Sequence, residues 1–339
     1  MALSLQQSVT KIDRWSVIKL LGTGKYSNVY LGYDEESGTY AAIKISRHFW
    51  DVHSFQSEAL RHSNFYHEHI IELKSYHQAI VLYDTDRNWT APGIVMEYAK
   101  GDDLLSLVKT LGSLPEKIGR TYLKQIISVL EYMHHKGYSH QDIKLENILL
   151  DEDYCVKISD FGCTRKFESS KQSKGPMGTS SYFTPEMNEK KPFYQNQADL
   201  FAAAIVTFTM VIGHKPFEKA TRDNQFYSLI YERDIQEFWR AHGMASMRIP
   251  GNRDIDRVSG YFKNLMVSMF AYDPRKRPTL EQVKRDDWLK GETLTREQMK
   301  QEITKLLMLQ GFDLEIKEEC PSFIMHEIET APVTSMISE

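Results

Sequence analysis

The hydrophobic pattern changes near residue 100, and this change limits the possible folds more than any other feature. Trp15 to Ile45 combines strand-favouring residues with glycine-containing turns, and Ile80 to Asp102 reads as two strands joined by a polar turn. From Leu104 to Lys136 the apolar period becomes 3.6, which is typical of an amphipathic helix. Residues after 185 continue in a mostly helical pattern. The sequence therefore predicts an α+β fold with a strand-rich first part and a helical second part.

Composition excludes several classes of function. The 339 residues suffice for about two domain-sized units, and 41% hydrophobic with 26% charged residues is ordinary for a globular protein. A net charge of −4 gives no support to a nucleic-acid partner. The three cysteines form no spaced pattern, which favours a reducing compartment. No secretory signal or membrane-spanning run is visible, so we expect a cytoplasmic or nuclear protein with no membrane partner.

Four motifs carry the chemistry of the chain. They are a loop, His140–Asn147, that holds an acid and an amide five positions apart; the triplet Asp160-Phe161-Gly162; a glycine-rich turn, Gly22–Val29; and a lysine in the strand-like run Ala41–Lys44. Each motif alone is a weak signal, but their order and separation make a strong one. Together they resemble the signatures of the eukaryotic protein kinases, serine/threonine type, and the resemblance covers roughly Trp15 to Trp288.

The resemblance implies a bilobal fold with defined boundaries. We expect an N-terminal extension at 1–14 and a kinase domain at 15–288, with an N-lobe at 15–98 and a C-lobe at 99–288. The N-lobe should be a small antiparallel sheet with one main helix, and the C-lobe should be mostly helical. An acidic tail follows at 289–339; residues 292–339 hold ten Asp or Glu and four Lys or Arg. Behind a possible Thr295 cap, an amphipathic stripe predicts one helix, which could dock on the C-lobe or bind a partner, although a loosely packed tail is the simplest expectation.

The first half of the domain predicts a nucleotide site. The glycine-rich turn lies between two strand signals, so it fits a flap over phosphates better than a dinucleotide-binding turn that opens a helix. Lys44 would hold the α- and β-phosphates, and Glu58 would be its carboxylate partner. By resemblance, ATP would be held by Gly22, Thr23, Gly24, Ser27, Val29, Ala42, Lys44, Glu58, Met96, Glu97, Ala99, Asp103, Leu149 and Asp160.

The catalytic residues follow from the same resemblance. Asp142 would accept the proton of the substrate hydroxyl, and Lys144 would neutralise the migrating γ-phosphoryl. Asn147 and Asp160 offer hard oxygen ligands for Mg²⁺. Thr179 would brace Asp142 and Lys144. These residues predict an ATP- and Mg²⁺-dependent serine/threonine kinase that acts on protein substrates.

Three architectural contacts are expected as well. Glu186 would form a buried pair with Arg277, which fixes geometry more than it adds stability. Asp199 would anchor the backbone of the catalytic loop from a buried helix. His140 would be structural and stacked under Phe161.

Two departures from the family pattern predict the mode of regulation. The arginine that usually precedes the catalytic aspartate is replaced by Gln141, and the usual phosphate acceptor position is Gly175. That arginine normally receives the phosphate of a phosphorylated activation loop. Receptor and acceptor are absent together, so we expect a kinase whose loop needs no phosphorylation.

Two acidic positions predict substrate choice. Within the family the chain resembles the calmodulin-kinase-like group, in which a carboxylate after the hinge and another in the catalytic loop recognise an arginine three residues before the phosphorylated hydroxyl. The matching residues are Asp103 and Glu146, whereas Thr209 stands where a second arginine would be read. We therefore expect a preference for Arg at minus three. Alternatively, Asp103 only holds the ATP ribose and Glu146 only caps the loop.

Two other functions fit the same fold, which alone does not establish activity. A pseudokinase that acts as an ATP-binding scaffold is disfavoured by the intact set Lys44, Glu58, Asp142, Asn147 and Asp160. A small-molecule kinase is disfavoured by a full segment from Gly178 to Glu186, which builds a peptide groove. We expect a monomer and no calmodulin binding, since the tail stripe is nearly neutral.

Overall fold

The first lobe is built on six antiparallel strands in the order β1-β2-β3-β4-β6-β5, and β1 also pairs with β5, so the sheet closes on itself. The computed structural model describes residues 9–48, 52–84, 88–247 and 257–312. The strands are β1 (Val9–Ile12), β2 (Trp15–Thr23), β3 (Ser27–Asp34), β4 (Thr39–Ser46), β5 (Leu73–Asp84) and β6 (Asn88–Met96), and helix α1 spans Val52–His62. Strand β1 lies in the predicted N-terminal extension, which therefore contributes to this sheet.

Strand β4 shows how the alternation of side chains separates core from site. Ala41, Ile43 and Ile45 join the buried cluster of the first lobe with Trp15 and Tyr30. Because successive side chains of a strand point to opposite faces, Ala42 and Lys44 lie on the other face. One short strand thus anchors the sheet and presents a lysine away from its core.

The second lobe is helical, as predicted. Its main elements are α2 (Leu104–Leu111), α3 (Glu116–His135), α4 (Pro185–Asn188), α5 (Gln195–Ile212), α6 (Tyr227–Glu232), α7 (Ile235–Ser246), α8 (Gly260–Met269) and α9 (Leu280–Lys284). Helix α5 is buried along almost its whole length, as its apolar sequence predicts, and it ends at Gly213 in the left-handed conformation (φ 91°). Its neighbours α3 and α8 pack around it in one continuous core. The predicted α+β class is confirmed.

Short strands lie where the two lobes meet. Strand β7 (Tyr138–Ser139) pairs with β10 (Arg165–Lys166), and β8 (Ile148–Leu150) pairs with β9 (Val156–Ile158). The hairpin of β8 and β9 begins directly after Asn147 and ends two residues before Asp160. The hairpin therefore fixes the separation of these two residues.

The last described element is helix α10 (Arg296–Leu309), in the segment where an amphipathic helix was expected. Thr295 caps it through the backbone N–H of Gln298, and the Gln298 side chain accepts from the Thr295 N–H, a reciprocal capping box. Met299, Ile303 and Leu307 are completely buried in the core of the second lobe. The expectation of a loosely packed tail is wrong for this helix, because its apolar stripe completes that core; residues 313–339 lie outside the described ones.

The described part of the chain contains no helix that combines the length and the apolar character of a membrane span.

Candidate active site

Lys44 forms the centre of the upper half of the site. Its ammonium donates to Glu58 Oε1 at 2.7 Å and Oε2 at 3.0 Å, and it lies 3.3 Å from Asp160 Oδ1. Glu58 is buried on α1, whereas the Asp160 side chain is 42% exposed. The predicted Lys44–Glu58 pair is confirmed, and it joins the sheet, the helix and the second lobe at one point.

Mutual attraction keeps Lys44 and Asp160 charged, whereas at Glu58 burial outweighs the attraction of Lys44 and raises the pKa of that carboxyl. Burial alone would lower the pKa of Lys44, but Glu58 and Asp160 outweigh it and raise that pKa above its ordinary value. Burial would likewise raise the pKa of Asp160, yet Lys44 and the Gly162 N–H hold it below its ordinary value. Lys44 is therefore an ammonium and Asp160 a carboxylate at neutral pH.

The catalytic loop, His140–Asn147, is held by hydrogen bonds to the buried helix α5. Asp199 accepts hydrogen bonds from the backbone N–H groups of His140 at 3.0 Å and Gln141 at 2.9 Å, as predicted. His134 Nε2 lies 2.9 Å from the same carboxylate, a contact that the sequence did not indicate. Gln141 has a positive φ of 69°, a conformation that costs energy in a non-glycine residue. Asp199 holds this strained backbone in place.

Asp142 lies at the centre of a dense hydrogen-bond network. Its Oδ1 accepts from the Thr179 N–H at 3.0 Å and the Thr179 hydroxyl at 2.8 Å. Its Oδ2 lies 2.8 Å from Lys144 Nζ and 2.9 Å from Asn147 Nδ2. Lys144 also donates to the Thr179 hydroxyl at 3.0 Å. Thr179 therefore braces both Asp142 and Lys144, as expected.

Gly178 makes this bracing sterically possible. Its φ is 91°, and a Cβ atom there would lie 2.2 Å from the carbonyl oxygen of Gln141. A side chain at this position would push the Gly178–Thr179 segment off the catalytic loop. The sequence pair Gly178-Thr179 thus combines a close backbone approach with a hydroxyl that reaches Asp142.

Asn147 and Asp160 each present an oxygen atom of the kind that binds a hard cation. Asn147 uses its amide nitrogen on the Asp142 carboxylate and carbonyl, both at 2.9 Å, so its amide oxygen is the atom that can bind a metal. Asp160 is held in the left-handed region (φ 62°) at the end of the β8–β9 hairpin. An amide oxygen and a partly exposed carboxylate fit Mg²⁺, which usually takes few protein ligands together with phosphate oxygens.

Phe161, the residue after Asp160, packs against the rings of two histidines. The His62 ring stacks on Phe161 at a centroid distance of 4.3 Å, and His140 meets it edge-on at 5.3 Å. The predicted stacking of His140 is therefore wrong in geometry, although the two rings do touch; His62 on α1 takes the stacked position. Arg61 donates to the carbonyl oxygens of Phe161 at 3.2 Å and Gly162 at 2.9 Å. Nothing in the local sequence of α1 indicated that Arg61 and His62 reach this triplet.

Residues predicted to enclose the adenine lie on neighbouring strands of the first lobe and on one short strand of the second. Val29 pairs with Lys44 in the register of β3 and β4, and Ala42 pairs with Met96 in the register of β4 and β6. Leu149 lies on β8 in the second lobe, where it forms a bridge with Asp103. Val29, Ala42 and Leu149 thus come from both lobes.

The turn between β2 and β3 has the predicted strand–turn–strand form. Gly22 and Thr23 pair with Val29 and Asn28, and the Gly24 N–H donates to the carbonyl of Ser27 at 2.7 Å.

The predicted hinge residues follow directly after β6. The Glu97 N–H donates to the Glu72 carbonyl at 2.9 Å, and the Glu97 carboxylate accepts from the Glu72 N–H and pairs with Lys157 at 2.8 Å. Ala99 is buried two residues further on. The Glu97 side chain thus ties the hinge to β9, while its backbone N–H is already paired with Glu72.

The Glu186–Arg277 pair is confirmed as a buried, two-pronged contact. Arg277 donates to the two carboxylate oxygens of Glu186 at 2.8 and 2.7 Å, and its guanidinium also reaches the carbonyl of Ala271 at 2.7 Å. Both side chains are less than a tenth exposed. The pair joins the segment after Thr179 to the end of the second lobe.

The fold and this site define a phosphotransferase of the two-lobed type, in which a lysine–glutamate pair faces an aspartate–lysine–asparagine loop. Comparison with known proteins indicates the same class of enzyme. A family model described as protein kinase domain matches residues 15–289. Serine/threonine-protein kinase SRK2F of Arabidopsis thaliana is 31% identical over 284 residues, which cover 83% of this chain and 75% of that protein. Aurora kinase of Dictyostelium discoideum is 30% identical over 293 residues, which cover 84% and 69%.

A third relative is similar at lower identity. CBL-interacting protein kinase 11 of Oryza sativa subsp. japonica is 28% identical over 280 residues, which cover 82% of this chain and 51% of that protein. This similarity is consistent with the resemblance of the chain to the calmodulin-kinase-like group. The chain belongs to the eukaryotic protein kinase family, and it is an ATP-dependent serine/threonine protein kinase. The pseudokinase and small-molecule alternatives are thereby set aside.

Proposed function

We propose that Asp142 accepts the proton of a serine or threonine hydroxyl while Lys144 stabilises the charge of the migrating phosphoryl group. The observation that carries this assignment is the network around Asp142, in which Thr179, Lys144 and Asn147 all lie within 3.0 Å of its carboxylate. These contacts orient the carboxylate before substrate arrives, and pre-organised charge is the main source of catalysis in phosphoryl transfer.

The nucleotide site is assigned to the cleft between the lobes. When bound, Mg²⁺ and ATP supply the transferable γ-phosphoryl and the divalent charge. Lys44, oriented by Glu58, would hold the phosphates, and Asn147 and Asp160 would hold the cation. The turn of Gly22, Thr23, Gly24 and Ser27 would cover the phosphates with backbone N–H groups. Adenine would lie between Val29, Ala42 and Leu149, beside Met96 and the backbones of Glu97 and Ala99, with Asp103 near the ribose.

A substrate preference is the finer part of the proposal: arginine three residues before the phosphorylated hydroxyl. Asp103 is half-buried and caps α2 through the Ser106 N–H at 2.8 Å, while Glu146 is exposed. Burial raises the pKa of Asp103, and the neighbouring carboxylates Asp102 and Glu146 act in the same direction. Two carboxylates that repel each other are a ready receptor for one guanidinium.

We expect no comparable preference for arginine two residues before the phosphorylated hydroxyl. Thr209 is buried in α5, where its hydroxyl donates to the Ile205 carbonyl at 2.7 Å. An uncharged side chain that is committed to its own helix offers a second arginine no partner.

A positional peptide scan tests the preference. Peptides with Arg at minus three should be phosphorylated with about tenfold higher kcat/KM than those with Ala, because charge-assisted hydrogen bonds contribute about 1.5–3 kcal/mol. Glu146→Gln should remove most of this ratio, whereas Glu281→Gln, an exposed acid on α9, should not. Glu146 is the better residue to change, since Asp103 also caps a helix. A flat response at minus three, or a ratio unchanged by Glu146→Gln, contradicts the preference.

Independence from loop phosphorylation is the last part of the proposal. Gln141 donates its side-chain amide to the Gln195 carbonyl at 3.4 Å, which gives this side chain a partner within the second lobe. Ser173 and Phe193 exchange backbone hydrogen bonds of 2.8 and 3.1 Å, so the loop that contains Ser173 is held in place without a charged group. Phosphatase-treated protein from bacteria should retain its kcat. Activity that disappears on dephosphorylation and returns with an upstream kinase would place the control at Ser169, Ser170 or Ser173.

A further inference from the structure

Helix α10 brings one arginine to the turn of the β8–β9 hairpin. The helix is fixed by three completely buried side chains and by the Leu294 N–H, which donates to the Thr121 hydroxyl at 3.0 Å. Arg296 is its first residue, so the docking of α10 determines where this guanidinium lies. None of the motifs used above includes it.

Arg296 contacts three carboxylates at once. Its Nη1 donates to Asp151 at 2.8 Å and to Asp153 at 3.1 Å, and its Nη2 donates to Glu68 at 3.3 Å. Lys300, one turn later, adds a 2.9 Å bond to the other oxygen of Asp153. A planar guanidinium with five N–H donors can serve three acceptors in fixed directions, which an ammonium cannot do.

Asp151 and Asp153 belong to the turn of the β8–β9 hairpin. Asp151 Oδ1 accepts from the N–H groups of Asp153 at 3.0 Å and Cys155 at 2.9 Å, so it shapes the turn itself. At its open end this hairpin carries Asn147 before β8 and Asp160 after β9. A cation at the turn therefore holds the hairpin whose other end bears both proposed metal ligands.

Glu68 belongs to the loop that joins α1 to β5. The residues after it pair with β9: the Ile158 N–H donates to the His69 carbonyl at 2.8 Å, and the Ile71 N–H donates to the Ile158 carbonyl at 3.0 Å. His69 Nδ1 also lies 3.1 Å from the Val156 carbonyl. The loop after α1, the helix that carries Glu58, is thus hydrogen-bonded to β9, the strand that leads to Asp160. Arg296 contacts both this loop and the β8–β9 turn.

We propose that Arg296 is a positioning residue for catalysis, a clamp that holds the α1–β5 loop against the β8–β9 turn and so fixes Glu58 relative to Asn147 and Asp160. The clamp acts through these elements and touches no substrate. It makes the start of α10 part of the catalytic unit. The inference rests on the proposed roles of Glu58, Asn147 and Asp160.

The test is Arg296→Gln in the full chain, with Lys305→Gln as the matched control. Lys305 is exposed on the same helix, so the control has the same charge change without the three carboxylates. Arg296→Gln should lower kcat/KM for ATP about three- to tenfold, since partly exposed ion pairs are individually weak but three converge here. The kcat/KM for peptide at saturating ATP should fall less, because the residues proposed to recognise the peptide, Asp103 and Glu146, both lie in the second lobe.

A second measurement separates positioning from simple stability. Amide hydrogen exchange should speed up in residues 67–71 and 156–162 of Arg296→Gln and stay unchanged in α6 and α7. Arg296→Lys should recover only part of the loss, since one ammonium cannot reach both Asp151 and Glu68. Glu68→Gln, which leaves α10 docked, should reproduce part of the effect, and adding it to Arg296→Gln should cause little further loss.

Two outcomes overturn the proposal. One is an ATP kcat/KM of Arg296→Gln equal to that of Lys305→Gln. The other is faster exchange only within α10 itself, which would reduce Arg296 to an anchor of its own helix. If Lys44→Met abolishes activity while Arg296→Gln has no effect, the clamp is wrong and the proposed nucleotide site stands. If Lys44→Met is also without effect, the assignment of the site fails first.

Discussion

The two lobes hold their halves of the site by different means. In the second lobe, the catalytic loop is fixed by redundant contacts: Asp199 binds two backbone N–H groups, and Asp142 has three side-chain or backbone neighbours within 3.0 Å. In the first lobe, Lys44 lies on a strand whose core is small, and its ammonium is oriented by Glu58 on α1 and, at a longer distance, by Asp160. One half is set by a continuous core, and the other by an ion pair and the loop contacts behind it.

The two lobes should therefore respond differently to substitution. A change in the second lobe should remove a reacting group while the surrounding frame survives. A change in the first lobe should alter both the charge and the placement of α1, because Glu58, His62 and Arg61 on that helix all reach the Asp160–Gly162 segment or its ion pair. The expected effects below decrease in size and each probes one side of the comparison.

The largest effect is expected for Asp142→Asn. The amide keeps the shape and several hydrogen bonds but cannot accept the hydroxyl proton, so kcat should fall about 10³- to 10⁴-fold. Thermal unfolding should change little, since the catalytic loop is held mainly by Asp199. Asp287→Asn, on the surface, serves as the control for the same chemical change. Activity above a tenth of the wild-type value would mean that Asp142 is not the proton acceptor.

The next effect concerns stability in the second lobe. Arg277→Gln leaves the Glu186 carboxylate buried without its partner, and breaking such a pair costs about 3–5 kcal/mol of unfolding free energy. Arg285→Gln, an exposed residue with a single 4.0 Å pair to Glu281, should change it by less than about 0.5 kcal/mol. Urea titration measures both variants. Equal midpoints for the two would contradict the idea that this lobe is held by its buried contacts.

In the first lobe, Lys44→Met should affect activity and stability together. We expect kcat/KM for ATP to fall about 100-fold, since a charged contact to the phosphates is lost. The buried Glu58 then lacks a partner, which should lower the unfolding free energy by about 2–3 kcal/mol.

The double variant Lys44→Met/Glu58→Gln separates these two consequences. It should recover part of the stability but none of the activity. Recovery of both would show that Lys44 only neutralises Glu58 and has no role towards ATP.

The smallest effect is a pH dependence located at His62. Burial lowers the pKa of His62 from 6.5 to about 4, and its Nε2 lies 2.6 Å from the Ile71 carbonyl. Because the folded-state pKa is depressed, the stabilising contribution is complete above pH 6.5 and is lost as the pH falls towards about 4. Between pH 7 and pH 5 this linkage corresponds to about 2 kcal/mol.

His62→Gln provides the comparison, since glutamine can still donate to Ile71 but does not titrate. Urea titrations at several pH values should show that the wild-type protein loses more stability on acidification than the variant. Carboxylates and the other histidines titrate equally in both proteins and cancel in the difference. Parallel curves would mean that His62 is protonated in the folded protein without cost. Burial is the main cause of the lowered pKa of His62; the nearby Lys44 and His140 lower it further, whereas the Ile71 carbonyl and Asp160 oppose the shift.

Much of the site could be predicted because its residues are fixed by short-range patterns. The loop from His140 to Asn147 sets the spacing of Asp142, Lys144 and Asn147, and the strand alternation around Ile43 places Lys44 away from the core. The α+β class followed from the change in apolar period. The Lys44–Glu58 and Glu186–Arg277 pairs were predicted from the resemblance and were found.

Contacts between distant segments could not be predicted in the same way. His62 stacks on Phe161, and His134 reaches Asp199, yet histidines at these positions look no different from any other on a helix surface. His62 takes the stacked position on Phe161, and His140 meets the same ring edge-on. The amphipathic stripe of α10 was visible, but not the surface that it covers.

By itself, the sequence determined which elements form and which chemical groups this kinase carries, because hydrophobic period, turn residues and motif spacing act over a few residues. Only the tertiary structure decided which of those groups meet. Arg296 lies 145 positions after Asp151 and 228 after Glu68 along the chain, and the three are neighbours because Met299, Ile303 and Leu307 fill the core of the second lobe. Burial of apolar surface is non-directional, so local sequence cannot specify the charges that it brings together.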